Sequence, residues 1–305
     1  MTLSPDVDVY GKYARVSALA DYVELLALKE RPISEAQLSD LIEENDWSIE
    51  ESISRAGVIA PAAADDDPGE EADRIFTLIR EREDLLGALY PFEIRRSRVC
   101  LRAGFAINTS AYIALLAITM VHAYAIDCLA VPYRVFEDTV AGVAASRGLL
   151  TANVGAVAMH AASFEAALDQ VAGMVGLKAF FGAAPTYTYA QDEKVDTLCH
   201  LTWGDTRPGA WTMVGQATCA KSEAWNQKIC EPRPPTWAKL LGVSLFPQAF
   251  LAVPHHVGRP MLEKLVSDHV RLVLDRPRLA KYKNGVSADE TIIIEALLAV
   301  EVEGI

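Results

Sequence analysis

Residues 194–221 read KVDTLCHLTWGDTRPGAWTMVGQATCAK, two apolar runs of strand character on either side of a polar turn. Pairing 194–203 with 210–218 around GDTRPG predicts a hairpin. With Trp203 near Ala210, the numbers of opposed residues sum to about 413, which puts Asp196 opposite a residue close to 217. Gln216 then lies within cross-strand reach of Asp196. The period of two puts Gln216 and Thr218 on one face, and Asp196, Leu198 and His200 on one face. A carboxylate, an amide and a hydroxyl thus gather at one end of the hairpin, with Lys221 just beyond it. Glu165 and Asp169, four residues apart on a predicted preceding helix (161–176), share a helical face and can add further oxygens. Such a set suits phosphodiester hydrolysis: carboxylate oxygens hold Mg²⁺ and a lysine orients the attacking water. A polar residue near a strand end is equally at home on a plain sheet edge.

The 305-residue chain is longer than a usual single domain and predicts two, 1–152 helical and 153–305 built on a sheet. Hydrophobic residues are 51% and charged residues 23%, enough to bury a core. A formal charge of −13 excludes a protein that coats nucleic acid over its whole surface. That charge is uneven. Residues 1–152 hold 14 Lys+Arg against 25 Asp+Glu, a net of −11, whereas 206–283 hold 12 against 5, a net of +7. One part of the chain is therefore suited to a polyanion. The five cysteines form no CxxC pair and MTLSPDVDVYGKYARV lacks a signal-peptide pattern, so reduced thiols and a cytoplasmic protein are expected.

In the first half, 16–30, 33–45 (with Ser34 as N-cap), 74–90 and 132–150 have helical spacing, and 60–73 reads as an acidic linker. Residues 103–126 hold no charged side chain. Their length could span a bilayer, but Asn108, Thr109, Ser110 and His122 favour a buried central helix. The expected role of the helical half is dimerisation, giving a homo-oligomer, or the sensing of a partner protein; no membrane is expected. Beyond 152 the order helix, strand, strand, helix, strand, strand, helix predicts an α/β or α+β domain on a mixed sheet.

SFEAALDQVAGMVGLKAFFG, DEKVDTLCHL and WTMVGQATCAK together resemble the PD-(D/E)xK, restriction-endonuclease-like nuclease superfamily, its Mrr-like branch above all. The likeness covers about 163–222 and leaves the helical half untouched. It implies a central mixed sheet flanked by helices and Mg²⁺- (or Mn²⁺-) dependent DNA cleavage in prokaryotic restriction or antiviral defence. Glu165 matches the helix acid, Asp196 the metal-binding aspartate and Gln216 the first residue of the third element. The expected lysine two residues later is Thr218. Lys221 is the substitute if the strand ends in time for it to reach back. Loss of the site, leaving a regulatory or scaffold subunit, is the alternative.

His255 and His256 in VPHHV are candidate proton shuttles, phosphate contacts or metal ligands. Arg259, Lys264, Arg271, Arg276, Arg278, Lys281 and Lys283 are candidates for tracking a phosphate backbone, or a solvated basic surface. Cys199 and His200 are adjacent on a strand and point to opposite faces, which argues against a zinc site. No nucleotide-binding glycine motif or hydrolase elbow is present.

Overall fold

In the computed structural model, residues 2–3, 12–44, 67–180, 194–205, 207, 209 and 211–302 are described. β1 (Thr2–Leu3) pairs in parallel with the last strand, β9 (Glu301–Val302). α1 (Lys12–Leu28) is followed by α2 (Glu35–Glu44). Ser34 caps α2: its hydroxyl accepts from the Gln37 N–H at 3.3 Å and Gln37 Oε1 accepts from the Ser34 N–H at 3.0 Å, a reciprocal pair that satisfies two otherwise orphaned donors. α3 (Pro68–Leu86) starts on Asp67, whose carboxylate accepts from the Gly69 N–H, with Pro68 in the first turn. The second half of the expected linker is therefore helix. Residues 60–66 lie outside the described ones.

The first half is not all-α. β2 (Phe92–Arg95) and β3 (Arg98–Leu101) form an antiparallel hairpin, turned by Arg96 and Ser97 at φ of 51° and 60°. Such turns are usually marked by Asn-Gly or Asp-Gly, so an Arg-Ser pair leaves no sequence signal. α4 (Ala111–Ala123) is capped by Ser110, and Tyr112 to Val121 are buried all round. Its 13 residues rise about 20 Å, short of the ~30 Å apolar core of a bilayer. No helix among the described residues is long and apolar enough to cross a membrane. α5 (Pro132–Ser146) follows, with Pro132 pre-setting its first turn.

β4 (Leu150–Asn153) then begins the main sheet, succeeded by α6 (Val154–Ala158) and α7 (Phe164–Met174), the latter capped by Ser163. β5 (Thr197–Leu201) and β6 (Trp211–Ala217) are the expected hairpin strands. α8 (Trp225–Lys228), α9 (Pro234–Leu240), β7 (Gln248–Ala252), α10 (Arg259–His269) and β8 (Leu272–Leu274) complete the sheet region. α11 (Arg276–Tyr282) and α12 (Ala288–Ala299) close the helical layer. α12 carries a full capping box between Ser287 and Glu290.

The sheet runs β4-β5-β6-β7-β8. β5 runs antiparallel to both β4 and β6, and β6, β7 and β8 are parallel because helices carry each crossover. One face, with Cys199, Ala217, Phe250 and Ala252, packs into a core shared with Leu19, Phe76, Ile113, Phe136, Leu279 and Ile293. The other face carries Leu198, Val214 and Ala249 against α7 and α9, and Leu251 and Val273 against α8 and α10. Burial on both sides explains the unbroken apolar run of β7. The boundary expected at 152 falls inside β4, and the larger core draws on residues from both sides of it.

Candidate active site

The hairpin register pairs Thr197 with Gly215 and Leu198 with Val214, a sum of 412. One step beyond the pairing, Asp196 stands at the level of Gln216. The Asp196 N–H donates to the Gly215 carbonyl at 2.8 Å, and its carboxylate Oδ2 accepts from the Ala217 N–H at 2.7 Å. Asp196 also ties the edge strand in, its carbonyl accepting from the Val154 N–H at 2.8 Å. Asp196 and Gln216 are buried, at 6% and 8% exposure. Gln216 Oε1 is a buried oxygen without a hydrogen-bond partner. A desolvated carbonyl oxygen beside an ionisable carboxylate is costly unless something electropositive meets it.

β6 ends at Ala217. The Thr218 hydroxyl accepts from the Ala220 N–H at 3.1 Å, a short turn that uses up the hydroxyl and bends the chain. Trp225 Nε1 donates to the Ala220 carbonyl at 2.8 Å and pins that turn. Lys221 emerges half-buried just beyond it. Its charge is felt by two imidazoles: burial, then Lys221, lowers the His122 pKa. In His255 burial leads and Arg276 follows, with His122 and Lys221 adding to the fall, to about 3.

Glu165 lies with Asp169 on the exposed face of α7, whose opposite face (Ala167, Leu168, Val171, Ala172) is buried against the sheet. Glu137 of α5 was not singled out by the sequence reading. Its Oε2 is 3.1 Å from where a Cβ on Gly155 would lie. Gly155 follows Val154, which is bonded to Asp196. The Glu137 charge also raises the Cys219 pKa, second to burial itself, and Cys219 lies three residues after Gln216. Those neighbours bring the Glu137 carboxylate to the end of the sheet that holds Asp196. The signal was in the sequence: Phe136–Glu137 repeats the form of Phe164–Glu165 and directly precedes the edge strand. Next to it Asp138 Oδ1 accepts from Asn153 Nδ2 at 2.7 Å, and Asn153 caps α6. Among the described residues no three His, Cys, Asp or Glu side chains group closely enough to hold a metal by themselves.

The basic candidates divide. Arg276 is fully buried. It grips Asp21 through two bonds of 2.7 and 2.6 Å, donates to the Pro254 carbonyl and reaches Thr119 Oγ1 at 3.1 Å. Arg82, also fully buried, bonds Glu24 Oε1 at 2.7 Å and lies 2.8 Å from Asp21. The Tyr90 and Tyr112 hydroxyls donate to Glu24. Burial alone would raise the Asp21 pKa, but Arg276 and Arg82 outweigh it and hold the carboxyl at about 2. Arg276 therefore has no surface to offer a phosphate backbone, and neither do His255 and His256, buried at 4% and 2%. His256 is held by Ser17, whose hydroxyl donates to its carbonyl at 2.9 Å. Arg278 donates to the Val273 carbonyl, Arg271 to the Ile229 carbonyl, and exposed Arg259 pairs with Glu263 at 2.9 Å. These three remain near the surface.

No family model, curated protein or solved structure matches this chain.

Proposed function

We propose that the chain is a Mg²⁺- or Mn²⁺-dependent DNA endonuclease of the PD-(D/E)xK kind, working in prokaryotic restriction or antiviral defence. The observation that carries the reading is the buried, unbonded Oε1 of Gln216 facing the same sheet end as the Asp196 carboxylate. Two protein oxygens suit Mg²⁺, which keeps several waters and is commonly bound through one or two carboxylates plus the phosphates of its substrate. Asp196 and Gln216 would hold it, with Glu137 as the nearby helix acid in place of Glu165. When bound, the ion stabilises charge on the phosphoryl oxygens.

The chain's own residues supply the rest. The Ala217 N–H holds Asp196 Oδ2 in place. Lys221, just beyond the Thr218 turn, would orient a water for attack on the phosphorus. Arg259, Arg271 and Arg278 would meet backbone phosphates.

Plasmid cleavage with Mg²⁺ or Mn²⁺ tests the reading. Asp196→Ala removes a charge-stabilising contribution of several kcal/mol, about 100-fold or more in rate, and Lys221→Ala lowers the rate while metal binding persists. An intact protein that leaves DNA uncut with either metal would sink the enzyme reading. A second reading, a regulatory subunit that has lost the site, is favoured by one observation: Thr218 stands in the lysine position with its hydroxyl tied into a turn.

A further inference from the structure

Asn226, Cys230 and His269 lie at the ends of α8 and α10, well apart in sequence, and they meet at the surface. Cys230 Sγ is 3.4 Å from His269 Nδ1, and His269 Nε2 is 3.3 Å from Asn226 Oδ1. A carboxamide oxygen can only accept, so it fixes the proton on Nε2 and leaves Nδ1 as the acceptor that faces the thiol. This is the order nucleophile, base, orienting amide. Asn226 and Cys230 are four residues apart and so share a side of the chain. Val270 in the left-handed conformation (φ 52°) ends α10 and holds His269 across from them. Arg271 reaches the carbonyl of Ile229, which puts a guanidinium beside the residue preceding Cys230. The other charges nearby are the Lys228–Glu231 pair at 3.0 Å and Asp268.

The remaining cysteines are internal controls. Cys199 and Cys219 are buried, and burial raises both thiols, Cys199 to about 12. The Cys100 and Cys128 thiols donate to backbone carbonyls, of Arg98 and Ile292. Cys230 is exposed and is the cysteine whose sulfur faces a base.

We propose that Cys230 is a nucleophilic thiol that exchanges with small disulfides, with His269 as its base and Asn226 positioning the imidazole. The proton on Cys230 Sγ passes to His269 Nδ1 and the thiolate attacks one sulfur of the disulfide. A new S–S bond forms, the original S–S bond breaks, and the departing thiolate takes the proton from His269. The products are a mixed disulfide on Cys230 and one free small thiol, with no further oxidant consumed. This site is separate from the nuclease reading and stands or falls without it.

The test is the rate at which glutathione disulfide modifies each cysteine of the folded protein, followed by peptide mass spectrometry. Cys230 should be modified first, at least about tenfold faster than Cys100. His269→Ala should slow the reaction roughly 10- to 100-fold with an unchanged melting temperature, and added imidazole should restore part of the rate. Asn226→Ala should slow it by a smaller factor. Modification of Cys230 no faster than Cys100 overturns the proposal. So does a His269→Ala protein, still folded, that reacts at the parent rate, since exposure alone would then account for the reactivity.

Discussion

A single amide oxygen sets the chemistry at the residue scale. Gln216 Oε1 is buried without a hydrogen-bond partner, across the hairpin from Asp196, and the proposed metal would meet it. Gln216→Glu places two carboxylates together and should lower stability in chelator. Mg²⁺ should then raise the melting temperature of the variant more than that of the parent, by the equivalent of about 2.7 kcal/mol at one hundred times the dissociation constant. Scanning fluorimetry with and without Mg²⁺ reads this, and equal shifts for the two proteins would count against a metal at Gln216. The pair itself was legible, because antiparallel pairing arithmetic missed the true register by one. The third acid was not. Two Phe-Glu helices precede the hairpin, and nothing in a local motif says which of them packs where the strands end.

At the element scale, β6 depends on closeness to β7. A Cβ on Gly215 would stand 1.9 Å from the Phe250 ring, so the two strands meet with no room for a methyl group. Gly215→Ala should cost about 1–3 kcal/mol in urea unfolding through overpacking. Gly173, exposed in α7 with open space around its Cα, provides the contrast: Gly173→Ala should stabilise by roughly 0.5–1 kcal/mol through the unfolded chain. If both changes are neutral, the close packing of β6 on β7 is not as described. The helix start at Ser34 was open to reading because a cap is a local bond. The β2–β3 hairpin was not, since Arg96 and Ser97 adopt positive φ only under the surrounding packing.

At the scale of the whole molecule, Asp21 and Glu24 of α1 meet Arg82 of α3 and Arg276 of α11 in one buried, electrically balanced cluster. Removing one partner strands the others, so Arg276→Ala should cost about 3–5 kcal/mol and show as a fall in melting temperature. A weaker salt dependence of DNA binding with unchanged stability would instead restore Arg276 to the surface role. The same region sets the acid limit. His255 is neutral in the fold, its pKa lowered from 6.5 to about 3 by burial and then Arg276. A depressed folded pKa gives stability that is complete above the unfolded value and is lost as pH falls through 6.5 toward 3. Asp21 acts with the same sign between 3.8 and about 2. Asp275 opposes them: burial raises its pKa to about 6, so its contribution is lost as pH rises from 3.8 to 6. The melting temperature should decline below about pH 6.5, and His255→Phe should flatten that decline.

By itself the sequence determined the elements whose causes are local: capped helices, the apolar period of the strands, and the pairing of the hairpin to within one residue. Only the tertiary structure decided what each charge is for. Arg276 and Arg278 are two residues apart in one basic run, yet one is buried on Asp21 and the other lies near the surface. Burial and partners come from elements as far as 255 positions away, and a side chain's charge cannot report its neighbours until the fold has supplied them.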